Sequence, residues 1–127
     1  MMQRPEYRDY KLRKLSASEK GRGILVAASS SPGTLLHQAL DSTAANEWDA
    51  LTLRVVNLSS SPVKLTLEWG GTDAADQVEL TIPAESGFSQ VVDRHLLQDG
   101  AQLRAFAATA NVLVVHGYVQ RYEPNKP

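Results

Sequence analysis

From Val63 to Trp69 the chain alternates residue by residue: Val63, Leu65, Leu67 and Trp69 fall on one side, Lys64, Thr66 and Glu68 on the other. A period of two belongs to a β-strand, and an apolar face backed by a polar one describes a sheet packed on one side only, the antiparallel pattern. Trp48 to Leu58 repeats the pattern, with Leu51, Leu53 and Val55 opposed to Thr52 and Arg54. Further strands are expected at Gly23–Ala28, Val78–Ile82, Phe88–Val92, Ala101–Ala107 and Val112–Tyr122. Between them stand turn formers such as Ser29-Ser30-Ser31-Pro32-Gly33, Ser59-Ser60-Ser61-Pro62, Gly70-Gly71 and Pro83 to Gly87. Thr34–Leu40 suits a strand, although Leu35, Leu36 and Ala39 also fit a helical turn. Asp93–Gly100 reads as a loop in which Arg94 to Leu97 could wind once. The sequence therefore predicts an all-β fold, an antiparallel β-sandwich or jelly roll of about eight strands.

Charge divides the chain. Residues 1–22 carry seven basic side chains against three acidic ones, while the remainder holds six basic and eleven acidic groups. The segment also lacks an apolar run long enough to bury itself. It is expected to be a flexible basic arm (1–22) on a compact body (23–123) with a short tail (124–127), ordered by a partner. The residues expected to bind that partner are Arg4, Tyr7, Arg8, Tyr10, Lys11, Arg13, Lys14, Lys20 and Arg22; Leu12 and Leu15 add apolar contact. Tyrosine and arginine are favoured interface anchors, and an acidic body repels phosphate, so protein is the expected partner and nucleic acid is not. No stretch approaches the about 20 apolar residues of a membrane-spanning helix. The N-terminal charges have no apolar stretch behind them, so a secretory signal is not expected and synthesis in the cytoplasm is.

The residues that could carry chemistry do not form a recognisable set. There is no cysteine, which removes disulfides and thiolate metal sites. His37, His95 and His116 show no metal-ligand spacing, and hydrogen-bonded or surface roles account for them. Asp73, Asp76 and Glu79 lack the alternate-position spacing of a calcium loop. Ser86-Gly87 lacks the leading glycine of a nucleophile elbow, and Gly70-Gly71 is not followed by the Lys-Ser or Lys-Thr of a phosphate loop. No enzyme activity and no cofactor is expected. Trp69, in phase with Leu65 and Leu67, is expected in the core; Trp48, on the face opposite Leu51, is expected at a rim, where it could pack on a subunit or stack on a sugar.

The stretch Pro32–Tyr122, about three-quarters of the chain, resembles a group of small proteins of tailed bacteriophages. The resemblance rests on Glu68-Trp69-Gly70-Gly71, Ile82-Pro83-Ala84-Glu85-Ser86-Gly87, Arg104-Ala105-Phe106-Ala107 and Gly117-Tyr118-Val119, which are markers of fold rather than of chemistry. It implies a non-enzymatic virion structural protein that looks like a capsid decoration (cement) protein. Its partner would be the major capsid protein or another virion protein, its location the virion, and a homo-oligomer is expected. A neck or tail component, or a glycan-binding β-sandwich module for host attachment, are the alternatives. The basic arm has no counterpart in the resemblance.

Overall fold

A computed structural model describes residues 10–85 and 87–124. Nine strands form two antiparallel sheets: β1 (Tyr10–Lys14), β2 (Ile24–Leu25), β3 (Thr34–Gln38), β4 (Trp48–Asn57), β5 (Val63–Trp69), β6 (Gln77–Ile82), β7 (Ser89–Leu97), β8 (Gln102–Ala107) and β9 (Leu113–Tyr122). Sheet A runs β1-β9-β4-β7, with β2 paired to β9 beyond β1, and sheet B runs β3-β8-β5-β6. The chain crosses between the sheets at every connection except β1–β2 and the β5–β6 hairpin, the double Greek-key wrapping of a jelly roll. β1 and β2 occupy one edge position in succession, opposite residues 118–122 and then 114–115 of β9, so eight strand positions are filled. A 3-10 turn, Ala74–Asp76, leads into β6.

Alternation sets the core. Leu51, Leu53 and Val55 of β4, Leu113, Val115 and Val119 of β9, Leu65 and Leu67 of β5, and Leu103, Ala105 and Ala107 of β8 all bury inward. Gly117 stands in phase with Val115 and Val119, opposite Leu53, where β9 lies so close to β4 that any side chain would collide with the Thr52 carbonyl oxygen.

Thr34–Gln38 is a strand, as the reading allowed, and the structure departs from the sequence reading in three other places. Tyr10–Lys14 is a strand on sheet A, not arm, and Leu15 is fully buried in the core. From Tyr10 onward the basic segment therefore belongs to the fold; Arg4, Tyr7 and Arg8 lie outside the described residues. Thr34–Gln38 is a strand whose register shifts between Leu35 and His37; the bulge turns the adjacent Leu36 and His37 both inward, which explains the helix-like spacing. Asp93–Leu97 continues β7 instead of looping. The register of β7 against β4 shifts twice, and Arg94 adopts a left-handed φ of 52°, so alternation is lost where the strand persists. The outward side of β5 is open to water only at Lys64: Thr66 and Glu68 are buried. Trp69 keeps the inward phase expected of it but is only half-buried, packing on the core from the rim with Nε1 donating to the Leu96 carbonyl at 2.8 Å.

Candidate functional site

The two outer faces of the sandwich differ. Over sheet B, Glu68 accepts the Gly33 amide at 2.7 Å and the Ser31 hydroxyl at 2.5 Å, while Arg104 Nη1 donates to the Gly33 carbonyl at 3.0 Å. The Ser31–Gly33 turn thus closes over β5 and β8. Among the described residues sheet A has no such cover, and it carries apolar side chains outward. Among the described residues six large apolar side chains are exposed, and five of them (Leu12, Leu25, Leu58, Phe88 and Leu96) lie on or beside this face. Register explains it: Leu12 sits opposite Gln120, Leu25 opposite Val114, and Leu96 opposite Ala50, all outward pairs. Leu58 extends β4 by one residue in phase with Val56, its amide donating to the Val112 carbonyl. Phe88, 63% exposed, meets His116 edge-on at 4.9 Å between ring centroids. Leu25, Leu58, Phe88, Val56 and Val114 make an apolar end to the face.

The opposite end is aromatic. Tyr10, Tyr122 and Trp48 occupy one cross-strand row over β1, β9 and β4, with centroid separations of 4.9 and 4.7 Å and ring planes tilted by 37° and 34°. Trp48 is on the face opposite Leu51, where the sequence phase put it. Beside the row opens a groove of about 560 Å³, lined by Tyr10, Trp48, Ala50, Asp93, Arg94, Leu96 and Gln120. Arg94 and Asp93 reach it from the β7 bulge, with Nε of Arg94 3.3 Å from the Asp93 carboxylate. The Trp48 indole N–H is buried and meets no acceptor among the described residues.

Behind this end, between the sheets, lies a polar cluster that the sequence reading did not find. Asp49, wholly buried, accepts from His37 Nε2 at 2.7 Å, from Arg121 Nε at 2.8 Å and Nη2 at 3.1 Å, and from the Leu40 amide at 3.2 Å. Burial pushes the Asp49 carboxyl up, but hydrogen bonds from His37 and Arg121 outweigh it and hold the group below its usual range. The hydrogen bond to Asp49 in turn raises Arg121. Ser16 completes the cluster through its amide, which donates to His37 Nδ1 at 2.9 Å, while its Oγ accepts from the Gln38 amide at 2.8 Å. Serine, histidine and aspartate meet here, yet both imidazole nitrogens are engaged and the serine hydroxyl faces Gln38. The cluster clamps the segment after β1 onto β3 and joins the sheets. A signal existed: Asp49 is in phase with Leu51 and Leu53, and Arg121 with Val119, so charged residues stand at inward positions of two strands.

Among the described residues, those expected to bind a partner do not converge. Tyr10 faces outward in the aromatic row; Lys11 and Arg13 lie at the edge opposite Arg121 and Val119. Lys14 folds back, Nζ donating to the Ser18 carbonyl at 2.6 Å. Lys20, at φ 56°, and Arg22 belong to the exposed β1–β2 connection. Among the described residues no three histidine or carboxylate side chains gather as a metal site. Among the described residues no helix is long and apolar enough to cross a membrane. No protein-family model, curated protein or solved structure matches this chain.

Proposed function

We propose that this chain is a non-enzymatic structural protein of a bacteriophage virion, a capsid decoration (cement) protein that binds the outside of the head lattice and stabilises it. One observation carries the reading: the asymmetry of the outer faces. The chain's own Ser31–Gly33 turn covers the Glu68–Arg104 part of sheet B, whereas among the described residues sheet A leaves Leu25, Leu58 and Phe88 together at one end, with Leu12 and Leu96 further along. Contiguous exposed apolar surface marks a docking site, and each such side chain yields about 1.5–3 kcal/mol when covered. Lys11 and Arg13 at the adjoining edge favour a partner rich in acidic groups and add orientation more than affinity. Repetition over a symmetric lattice turns a modest single contact into strong attachment. The resemblance of Pro32–Tyr122 to small phage proteins supports a virion lattice, with the major capsid protein as partner; a neck or tail ring would use the same face.

The test is to assemble particles without the protein and challenge them with heat or chelation. Such particles are expected to fail earlier than complete ones. Added wild-type protein should restore them, and the Leu58→Asp, Phe88→Asp double variant should not. Particles that are equally robust without the protein but no longer attach to the host would overturn the decoration reading.

A further inference from the structure

We propose that the groove beside the Tyr10–Tyr122–Trp48 row is a binding site for a short neutral saccharide. The inference does not rest on the lattice reading: Leu25, Leu58 and Phe88 lie at the other end of the same face, and of the exposed apolar set Leu96 alone lines the groove.

A saccharide presents two kinds of surface, a C–H face that packs on aromatic rings and a rim of hydroxyls that need both donors and acceptors. The groove supplies both. Tyr10 and Trp48 line it as flat apolar walls. Gln120 brings an amide that donates and accepts, Asp93 an acceptor-only carboxylate, and Arg94 a fork of donors. The volume, about 560 Å³, falls within the about 300–1,000 Å³ of small-ligand sites, which combine an apolar lining with a few polar groups.

Charge selects among ligands that stack on aromatics. Among the described residues Asp93 and Arg94 are the charged residues of the lining and neutralise each other, which leaves no surplus there for a phosphate or an acidic sugar. Two further features mark the groove. Arg94, which lines it from the bulged part of β7, holds a left-handed φ of 52°, a strained setting for a residue other than glycine. The Trp48 indole is kept in the row although its N–H finds no acceptor among the described residues, a loss that buried polar groups rarely sustain.

The experiment titrates the full-length protein with neutral di- and trisaccharides of glucose, galactose, mannose, N-acetylglucosamine and rhamnose, followed by amide and indole NMR. Sialyllactose, oligothymidylate and an unrelated peptide mixture run alongside. At least one neutral saccharide is expected to bind and to shift the Trp48 indole and Gln120 signals while leaving the Trp69 indole in place. Gln120→Ala and Arg94→Ala, with unchanged melting, should each weaken binding about tenfold, equivalent to about 1.4 kcal/mol; Leu58→Asp should leave it unaltered. Absence of any neutral-saccharide shift at the Trp48 indole up to 10 mM ligand (about −2.7 kcal/mol) overturns the proposal. So does preference for the acidic sugar, the oligonucleotide or peptide, or binding that survives both variants.

Discussion

Replacing Asp49 by alanine should be among the most damaging single changes in this protein, and the cause is electrostatic. The carboxylate has no exposed surface and receives four hydrogen bonds, from His37, the Leu40 amide and both arms of Arg121. Without it, Arg121, 19% exposed, loses its counter-charge, and the His37 N–H and Leu40 amide lose their acceptor. Removing one partner of a buried pair costs about 3–5 kcal/mol. That is a large share of the roughly 5–15 kcal/mol that holds a domain of this size together. A drop in Tm on the order of 10–20 °C follows from the entropy of unfolding of a chain this long. Urea unfolding followed by tryptophan fluorescence measures the loss. Its pH dependence identifies the source. A carboxyl held below its ordinary value near 3.8 stabilises the fold above that pH and loses its contribution as the pH falls through its lowered folded-state value. The gap between wild type and Asp49→Ala should therefore be constant from pH 5 to 7 and narrow below about pH 4. A gap under about 1 kcal/mol at pH 7, or one that persists undiminished at pH 2, would refute the assignment of a buried, ionised Asp49.

Truncation tests the part of the basic segment that belongs to the fold. Deletion of 1–22 removes β1, the buried Leu15 and the Ser16–His37 bond, and should cost about 3 kcal/mol or more by calorimetry. Gly117→Ala, which drives a methyl into the Thr52 carbonyl, should destabilise by about 1–3 kcal/mol or force β9 away from β4, seen as faster amide exchange along Val115–Val119. Glu68→Ala strips the acceptor from the Gly33 amide and Ser31 hydroxyl and should cost about 1–3 kcal/mol, with the Ser31–Gly33 turn becoming protease-sensitive first.

The strands were legible where burial on one face imposes alternation, as in β4, β5 and β9. They were not legible where a strand lies at an edge and meets water on several sides. β1 spells Tyr-Lys-Leu-Arg-Lys, which as a sequence is a charged tail; its order comes from the backbone of β9 and from Leu15 just beyond it. β7 carries Asp93-Arg94-His95 in its exposed half, and its double register shift erases the period. The aromatic row and groove draw on β1, β4, β7 and β9, so Trp48 looked solitary until the sheet order brought Tyr10 and Tyr122 beside it. Asp49 and Arg121 stand 72 residues apart, and only the β4–β9 pairing reveals them as neighbours. The inward phase of each charge was visible; the partner was not.

The most direct measurement is a difference map between virions assembled with and without this protein. The decoration account predicts extra density on the outside of the head, repeated with the lattice symmetry, with the end of sheet A that bears Leu58 and Phe88 turned toward the capsid. Density confined to the tail, no density on the particle, or a jelly roll seated with sheet A facing solvent would contradict it.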